Sequence, residues 1–323
     1  MIENRIIWLD AVKGVGIVSV IIAHVYGFVY QLDGGYIALF IMSYYMPIFF
    51  LASGFARYKF LLGEKKESIF AYKNFVLLIP FFVLGVTYNV FRLEKLDIQV
   101  LYDLIFSNRC SGYWFIFVLC LMNLFIILTR QIYISKNLWI NCLMPFVIGG
   151  IISLFLIYMG IDSLKQFYLY YPYFVLGAFL RRYDINTISI KNIIFISILA
   201  CVVFVLYVIK IGVYTKLLWL VQIPMSLMVF ILISKVNWSA SFVGLILLKL
   251  GNISLYIYCI HYFIIQIILK FNILTLLNLY SSNVFIQNIY AFVVAFFILS
   301  LTYLICYFIK SSNFFNLICF GVK

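Results

Sequence analysis

Runs of apolar residues, each ended by a short polar or charged break, follow one another along almost the whole chain. A helix that crosses the hydrocarbon core of a bilayer needs about 20 such residues. The pattern therefore predicts ten transmembrane helices. We place them at residues 12–30, 36–56, 75–91, 113–129, 138–159, 167–180, 192–209, 217–234, 253–269 and 285–309. The sixth run is short and aromatic, so its helix is expected to be tilted, interfacial or longer than the run.

The polar breaks between these runs are short. The two longest, residues 57–74 and 92–112, are too small to fold independently. We see no internal repeat and no linker, and therefore predict a single transmembrane domain over residues 1–323. The first apolar run has no basic segment before it and no small-residue cleavage site after it, so we expect a retained helix.

Lys and Arg are divided unevenly between the two sides of this path. Of the 23 basic residues, 16 lie in the termini and even-numbered loops, and seven lie in the odd-numbered loops. Cytoplasmic loops carry the excess of Lys and Arg in membrane proteins. The distribution predicts that both termini are cytoplasmic, which agrees with an even number of spans. The predicted fold class is an all-α membrane protein with about ten transmembrane helices.

Composition excludes the other broad classes. Apolar residues make up 67% of the chain and charged residues 10%, against 45–50% and about 25% in soluble domains. Aromatic residues make up 20%, too many for a disordered chain. The net charge of +13 is explained by basic loops and requires no nucleic-acid partner, but it leaves room for an anionic cytosolic ligand. The seven cysteines include no CxxC pair and are interpreted as packing residues, and no metal site is expected.

All ten acidic residues lie outside the predicted spans. Carriers coupled to protons or sodium usually place a carboxylate at mid-membrane depth, where an ion sheds its water. The pattern therefore argues against coupled transport, although it leaves uncoupled passage of a neutral or lipid-linked solute open.

One face of the first predicted helix carries three groups that are costly in lipid. His24 follows Lys13 by eleven residues, which is about three helical turns and a rise of about 16 Å, and Asp10 precedes Lys13 by three residues. The stripe therefore presents a carboxylate and an ammonium at the cytoplasmic mouth and an imidazole near the midplane. We expect it to face a protein-lined cavity. The alternative for Asp10 and Lys13 is an ion pair that sets helix depth. His261, in the ninth predicted helix, has a comparable depth and is a candidate for the same cavity. For each histidine the alternative is a core imidazole that is bonded to a neighbouring Ser, Tyr or backbone carbonyl.

Several segments, in order along the chain, resemble the motifs of the acyltransferase-3 membrane family. Residues 5–14, followed by His24, are similar to its first helix, in which a basic residue, ten intervening residues and a histidine follow an LDxxKG stretch. Lys13 and His24 match that spacing. The further segments resemble MPxFFxxSGF, WFLxxL, yFxxG and iGxxSLxiYxxH and lie at residues 46–55, 114–119, 173–177 and 250–261. Many members carry an RxxR stretch before helix three, whereas this chain has Lys73 alone. Larger members also carry a hydrolase-like domain, and we expect this chain to resemble the short stand-alone branch.

This resemblance implies an integral-membrane acyltransferase, most often an O-acetyltransferase acting on envelope polysaccharides. The donor would be cytosolic acetyl-CoA, the acceptor a hydroxyl of a glycan or lipid-linked sugar, and the location the bacterial inner membrane. Because CoA is polyanionic, Arg57, Lys59 and Lys73 in the most basic cytoplasmic loop are candidates for donor binding, together with Lys13. Ordinary positive-inside anchoring is the alternative for each loop base.

His24 suits acyl transfer because a sugar hydroxyl needs a base with a pKa near 7 to become a nucleophile. A transient acetyl-imidazole that carries the acyl group is the second possibility. We predict Lys13 and Asp10 as further catalytic residues, Asp10 or a tyrosine as a group that orients the ring, and Lys13, Ser53 or the backbone at Gly54 as oxyanion donors. Close helix packing is the alternative for Ser53 and Gly54.

The acceptor is expected to contact aromatic side chains. Trp114, Tyr45, Tyr170 and Tyr173 are candidates for stacking on sugar faces, with His261 beside them, and helix packing is the alternative for each. A competing function is export of a polysaccharide or lipid-linked sugar. Acyl transfer needs an imidazole at this depth, whereas passage alone does not. A glycan polymerase is disfavoured because no large outer loop with paired charged residues is predicted.

Overall fold

The computed structural model describes residues 6–32, 35–62, 67–94, 97–107, 112–132, 137–160, 164–208 and 218–322, and all regular secondary structure in these ranges is helical. A π-helical turn, Val25–Val29, directly continues the first helix. The α-helices are α1 (Ile7–His24), α2 (Tyr36–Met42), α3 (Pro47–Leu61), α4 (Glu67–Leu93), α5 (Ile98–Phe106), α6 (Trp114–Ile132), α7 (Leu138–Tyr158), α8 (Leu164–Arg182), α9 (Ile190–Leu206), α10 (Leu218–Ser234), α11 (Phe242–Asn252), α12 (Ser254–Lys270), α13 (Ile273–Leu276), α14 (Val284–Ser311) and α15 (Asn313–Phe320).

The helices are grouped in two compact units. Unit 1 contains Met1–Ala52 and Tyr183–Cys306, and unit 2 contains Ser53–Arg182 and Tyr307–Lys323. This grouping does not decide whether residues 1–323 form the single transmembrane domain that we predict.

Helix α1 is the central element of unit 1, where it packs against α2, α10, α11 and α12. Its contact with α11 is backbone to backbone. A Cβ atom on Gly14 would overlap the carbonyl oxygen of Leu247, and one on Gly251 would overlap that of Asp10. Only glycine permits this approach, which is the usual way for membrane helices to gain close packing.

Helices α11 and α12 form a bent pair that meets at an angle of 82°. Ile253 lies between them with φ −113° and ψ 18°, far from the ψ of about −42° of an α-helix. The helix therefore breaks at this residue and restarts at Ser254 in a new direction. Helix α12 places nine buried residues, including His261, inside the unit.

Unit 2 is built on α4, which packs against α5, α6 and α15, while α6 and α8 pack against α7 and against each other. Buried amides join α4 to α6. Asn74 Nδ2 donates to the Cys120 carbonyl at 3.1 Å, and Asn123 Nδ2 donates to Asn74 Oδ1 at 3.0 Å. Helix α3 meets α8 where a Cβ on Gly54 would overlap the carbonyl oxygen of Phe174.

The outer faces of several helices are strongly apolar. Such a continuous exposed apolar surface suits lipid rather than water. On α9 and α14 it includes Ile194, Phe195, Ile198, Leu199, Val202, Val205, Val293, Phe296, Phe297, Leu304 and Phe308. Together with the helical architecture, these faces are those of an all-α membrane protein.

By length and composition, four of the described helical segments can each cross a membrane: Ile7–Val29, Tyr36–Leu61, Asn74–Leu93 and Val284–Ser311. The bent pair α11 and α12 makes a fifth if it is one span. Each of the ten segments expected from the sequence overlaps a described helix. Of the six that are not single spans by this criterion, four coincide with apolar helices of 10–17 residues, α12 counts only together with α11, and α8 is not among the candidate spans. The count of ten spans and the cytoplasmic position of both termini stay predictions.

Candidate active site

His24 is the last residue of α1 and lies directly before the π-helical turn Val25–Val29. A π-helical turn widens the backbone spiral, and such turns are frequent at functional sites. The His24 side chain is half-buried in unit 1. An imidazole in this position is accessible to a reactant while most of the helix before it is packed.

The second histidine of the chain meets the first. His24 Nδ1 lies 2.8 Å from His261 Nε2, and the two ring planes are within 8° of parallel. His261 has no solvent exposure, and its Nδ1 lies 3.0 Å from the carbonyl oxygen of Ile257, one turn earlier in α12. Helices α1 and α12 thus bring together two imidazoles that are 237 residues apart in the sequence.

Aromatic side chains enclose the His24 ring. The Tyr262 hydroxyl lies 3.4 Å from His24 Nε2, with ring centroids 5.0 Å apart. Phe28, in the π-helical turn, lies 5.1 Å from the His24 ring, and Tyr258 lies 6.0 Å from the His261 ring. These rings limit the access of water to the pair of imidazoles, and hydrogen bonds that are shielded from water are stronger.

The pair of charged residues predicted on α1 is formed at the other end of the helix. Lys13 Nζ lies 3.4 Å from Asp10 Oδ1, and the exposed fractions of the two side chains are 39% and 11%. Because α1 is continuous from Ile7 to His24, Lys13 lies about 16 Å and Asp10 about 21 Å along the axis from His24. Asp10 therefore pairs with Lys13, and the groups beside the His24 ring are His261 and Tyr262.

The predicted donor-binding residues fall in unit 2. Arg57 is half-buried on α3 and its guanidinium group includes a buried Nε, while Lys59 is exposed near the end of the same helix. Ser53, predicted to steady an oxyanion or to contact substrate, lies on α3 beside Gly54, whose contact with Phe174 favours the packing interpretation of this small pair. The Lys73 side chain lies outside the part of the chain that the structure describes.

Three of the aromatic candidates for sugar binding contact one another. The ring centroids of Trp114 and Tyr170 are 5.0 Å apart with planes at 29°, and those of Tyr170 and Tyr173 are 6.0 Å apart. All three belong to unit 2, whereas the half-buried Tyr45 belongs to unit 1. This placement does not decide between sugar binding and helix packing for these side chains. Trp114 and Tyr170 stack on each other, so one face of each ring is already covered.

Sequence reasoning anticipated a tyrosine hydroxyl or a backbone carbonyl as a partner of these imidazoles, but it identified neither the Ile257 carbonyl nor the Tyr262 hydroxyl. Tyr262 directly follows His261, and the segment from Tyr256 to Tyr262 is unusually rich in polar aromatic residues for an apolar helix. That signal was available, but it does not say which of these side chains turns toward α1. Among the described residues, no three His, Cys, Asp or Glu side chains are grouped so that they could hold a metal ion.

Comparison with known proteins gives one match. The family model of the acyltransferase-3 family, described as an acyltransferase domain, matches residues 6–314, nearly the whole chain. No curated protein and no solved structure matches the chain.

Proposed function

The chain belongs to the acyltransferase-3 family, and from that premise we propose that it is a multi-pass O-acyltransferase of the bacterial inner membrane. It moves an acetyl group from cytosolic acetyl-CoA to a hydroxyl of a sugar in an envelope polysaccharide or lipid-linked glycan. The observation that carries the proposal is the hydrogen-bonded pair of His24 and His261, with Tyr262 at the other His24 nitrogen.

A half-buried imidazole held by a second imidazole suits general base catalysis. In the proposed reaction, a ring nitrogen of His24 takes the proton of the acceptor hydroxyl while the hydroxyl oxygen attacks the carbonyl carbon of the thioester. The carbon–sulfur bond then breaks, and the His24 imidazolium returns the proton to the departing sulfur. The products are an acetyl ester and CoA with a free thiol, and His24 is restored to its starting state.

The donor site is proposed at the N-terminal end of α1. The partly exposed Lys13 is proposed to contact CoA phosphates, and about 16 Å of helix separates it from His24. The pantetheine arm of CoA is comparable in length, so phosphates near Lys13 are compatible with a thioester near His24. From the sequence pattern alone, Arg57, Lys59 and Lys73 of unit 2 stay candidates for contacts with CoA phosphates, and Trp114, Tyr45 and Ser53 for contacts with the acceptor. Membrane lipid, glycan and acyl-CoA are the proposed partners.

Direct transfer and a covalent acetyl-imidazole both fit a nucleophilic nitrogen at His24. They differ in one observable. A covalent intermediate leaves label on the protein after acetyl-CoA is added without acceptor, whereas direct transfer leaves none.

The test is turnover of radiolabelled acetyl-CoA by the purified protein in liposomes that contain lipid-linked glycan, followed as CoA release and as label on the glycan. We expect His24→Ala to reduce turnover about 10²–10⁴-fold, because general base catalysis contributes that much. Val18→Ala, a half-buried position of the same helix, is the matched control and should stay near wild type. A wild-type protein that neither binds nor consumes acetyl-CoA, or a fully active His24→Ala variant, would contradict the proposal, and sugar export would become the leading hypothesis.

A further inference from the structure

The two imidazoles and one backbone carbonyl form a continuous hydrogen-bonded row. It runs from the Ile257 oxygen to His261 Nδ1 at 3.0 Å, and from His261 Nε2 to His24 Nδ1 at 2.8 Å. His261 uses both of its ring nitrogens in this row, and His24 uses Nδ1. The direction of each hydrogen bond in the row can therefore be worked out from its fixed end.

The fixed end is the carbonyl. A carbonyl oxygen accepts and never donates, so the hydrogen of the first bond is on His261 Nδ1. A neutral imidazole carries one N–H, which leaves a lone pair on His261 Nε2. The second bond then has one possible donor, His24 Nδ1. In neutral His24, the proton is on Nδ1 and the lone pair is on Nε2.

The neutrality of His261 follows from its surroundings. Its side chain has no solvent exposure. The polar groups that the structure gives it are the backbone carbonyls of Ile257 and Tyr258, the His24 ring and the phenol rings of Tyr258 and Tyr262, none of which is a carboxylate. An imidazolium in this position would be a buried charge without a counter-charge among these groups, which is strongly disfavoured.

We propose that His261 is a positioning residue that, anchored by the Ile257 carbonyl, holds His24 in the Nδ1–H tautomer and thereby makes His24 Nε2 the proton acceptor of the reaction. This inference rests on the proposed function for its catalytic meaning, but the tautomer itself is a property of the resting protein. The position of the Tyr262 hydroxyl, 3.4 Å from Nε2, marks the side of the ring on which an acceptor hydroxyl would approach.

The arrangement has a clear chemical logic. In a histidine that acts as a base, the hydrogen bond at one ring nitrogen sets which nitrogen carries the proton. A carboxylate often fills that role, as it does in serine hydrolases. Here a second, buried imidazole with its own fixed tautomer supplies the acceptor, and no charge has to be buried beside His24 in the resting state.

The tautomer can be measured directly by nitrogen NMR of the full-length protein in lipid, with histidine as the labelled amino acid. The chain contains two histidines, so the spectrum holds two rings, and a His24→Gln variant assigns them. We expect both rings to be neutral with the proton on Nδ1. An Nε2–H tautomer at His24 in the wild type would overturn the proposal without any activity measurement.

Variants of His261 then test the cause. His261→Phe removes the acceptor and should release His24 from the Nδ1–H tautomer, whereas His261→Gln offers a carboxamide oxygen near the former Nε2 and should retain it. Tyr262→Phe, which changes the group at the opposite His24 nitrogen, is the matched control and should leave the tautomer unchanged. If His261→Phe is folded and its His24 keeps the wild-type tautomer, the proposal is wrong. If His261→Phe does not fold, the wild-type tautomer and His261→Gln still decide.

Activity separates this inference from the proposed function. We expect His261→Phe to lower kcat by on the order of 10²-fold or more with little change in the KM of acetyl-CoA, and His261→Gln to recover part of the loss. Equal kcat in His261→Phe and wild type would refute the positioning role. A wild type with the expected tautomers but no acetyl transfer would refute the proposed function and leave the hydrogen-bonded row intact.

Discussion

Lys13 and Asp10 form an ion pair that is partly exposed at the start of α1. Water reaches the Lys13 ammonium, since 39% of that side chain is exposed, but it largely does not reach the Asp10 carboxylate, whose side chain is 11% exposed. An ammonium has three N–H donors, so Lys13 can contact a phosphate of the proposed donor while it keeps its contact with Asp10.

We predict that replacing Lys13 weakens the binding of a donor that carries nucleotide phosphates. Lys13→Gln should raise the KM of acetyl-CoA about tenfold, because one charge-assisted hydrogen bond is worth about 1.5 kcal/mol. It should leave the KM of acetyl-pantetheine, which lacks the nucleotide phosphates, unchanged. The measurement is a pair of steady-state titrations with the two donors.

Lys191→Gln is the control for this experiment, since it removes an equal charge from an exposed position at the start of α9. A Lys13→Gln variant that weakens both donors equally would show that Lys13 does not act through the phosphates.

At the scale of the helices, the contact of α1 with α11 determines where the chemical groups of α1 lie. The two backbones touch at Gly14 and Gly251, and Asp10 supplies one of the carbonyl oxygens at this contact. In lipid, helices gain little from burying apolar surface against each other, so close van der Waals contact at small residues carries much of the association. The break at Ile253 then redirects the chain into α12, which carries His261.

We predict that this contact does not tolerate a methyl group. Gly14→Ala should destabilise the protein by about 1–3 kcal/mol, as overpacking of a well-packed interior does, since its Cβ would overlap the Leu247 carbonyl. Thermal unfolding in detergent measures the effect. In the control Gly150→Ala, the nearest atom to the new Cβ is a side-chain carbon of Tyr168 at 3.6 Å, an ordinary contact, and the melting temperature should not fall.

At the scale of the whole molecule, apolar outer faces and basic loops specify how the chain lies in a membrane. The helices expose many large apolar side chains, and the predicted path of ten spans places 16 of the 23 Lys and Arg residues on the side of the two termini. Because basic segments are retained in the cytoplasm, orientation is a property of the loop charges and does not depend on the packing of the helices.

The orientation predicts the outcome of reporter fusions. A fluorescent protein fused to either terminus should be fluorescent, and alkaline phosphatase fused to either terminus should be inactive, because both termini are expected in the cytoplasm. Phosphatase inserted after Ser282, in the loop before α14 and on the predicted outer side, is the control and should be active. Active phosphatase at one terminus would require an odd number of spans.

Much of the helical architecture could be predicted from the sequence because apolar runs of span length have few alternatives in lipid. The expected segment 138–159 agrees with α7 to within one residue, and the short aromatic run at 167–180 is longer in the structure, as α8. Helix α11 was not predicted, since it is too short to span and its glycines and Lys249 are typical of a loop. Its helical state depends on the α1 surface that covers it.

For the candidate site, the sequence by itself determined that His24 and Lys13 lie on one helix at a fixed separation, because helical rise is a local property of the backbone. The partners of Lys13 and His24 differ in how far they lie from them along the sequence. Asp10 is three residues from Lys13 and could be predicted, whereas His261 reaches His24 across 237 residues of chain. That contact depends on the packing of α12 against α1 and on the bend at Ile253. Only the tertiary structure decided it, because the relative position of two distant helices is set by the side chains of both and is encoded in neither segment alone.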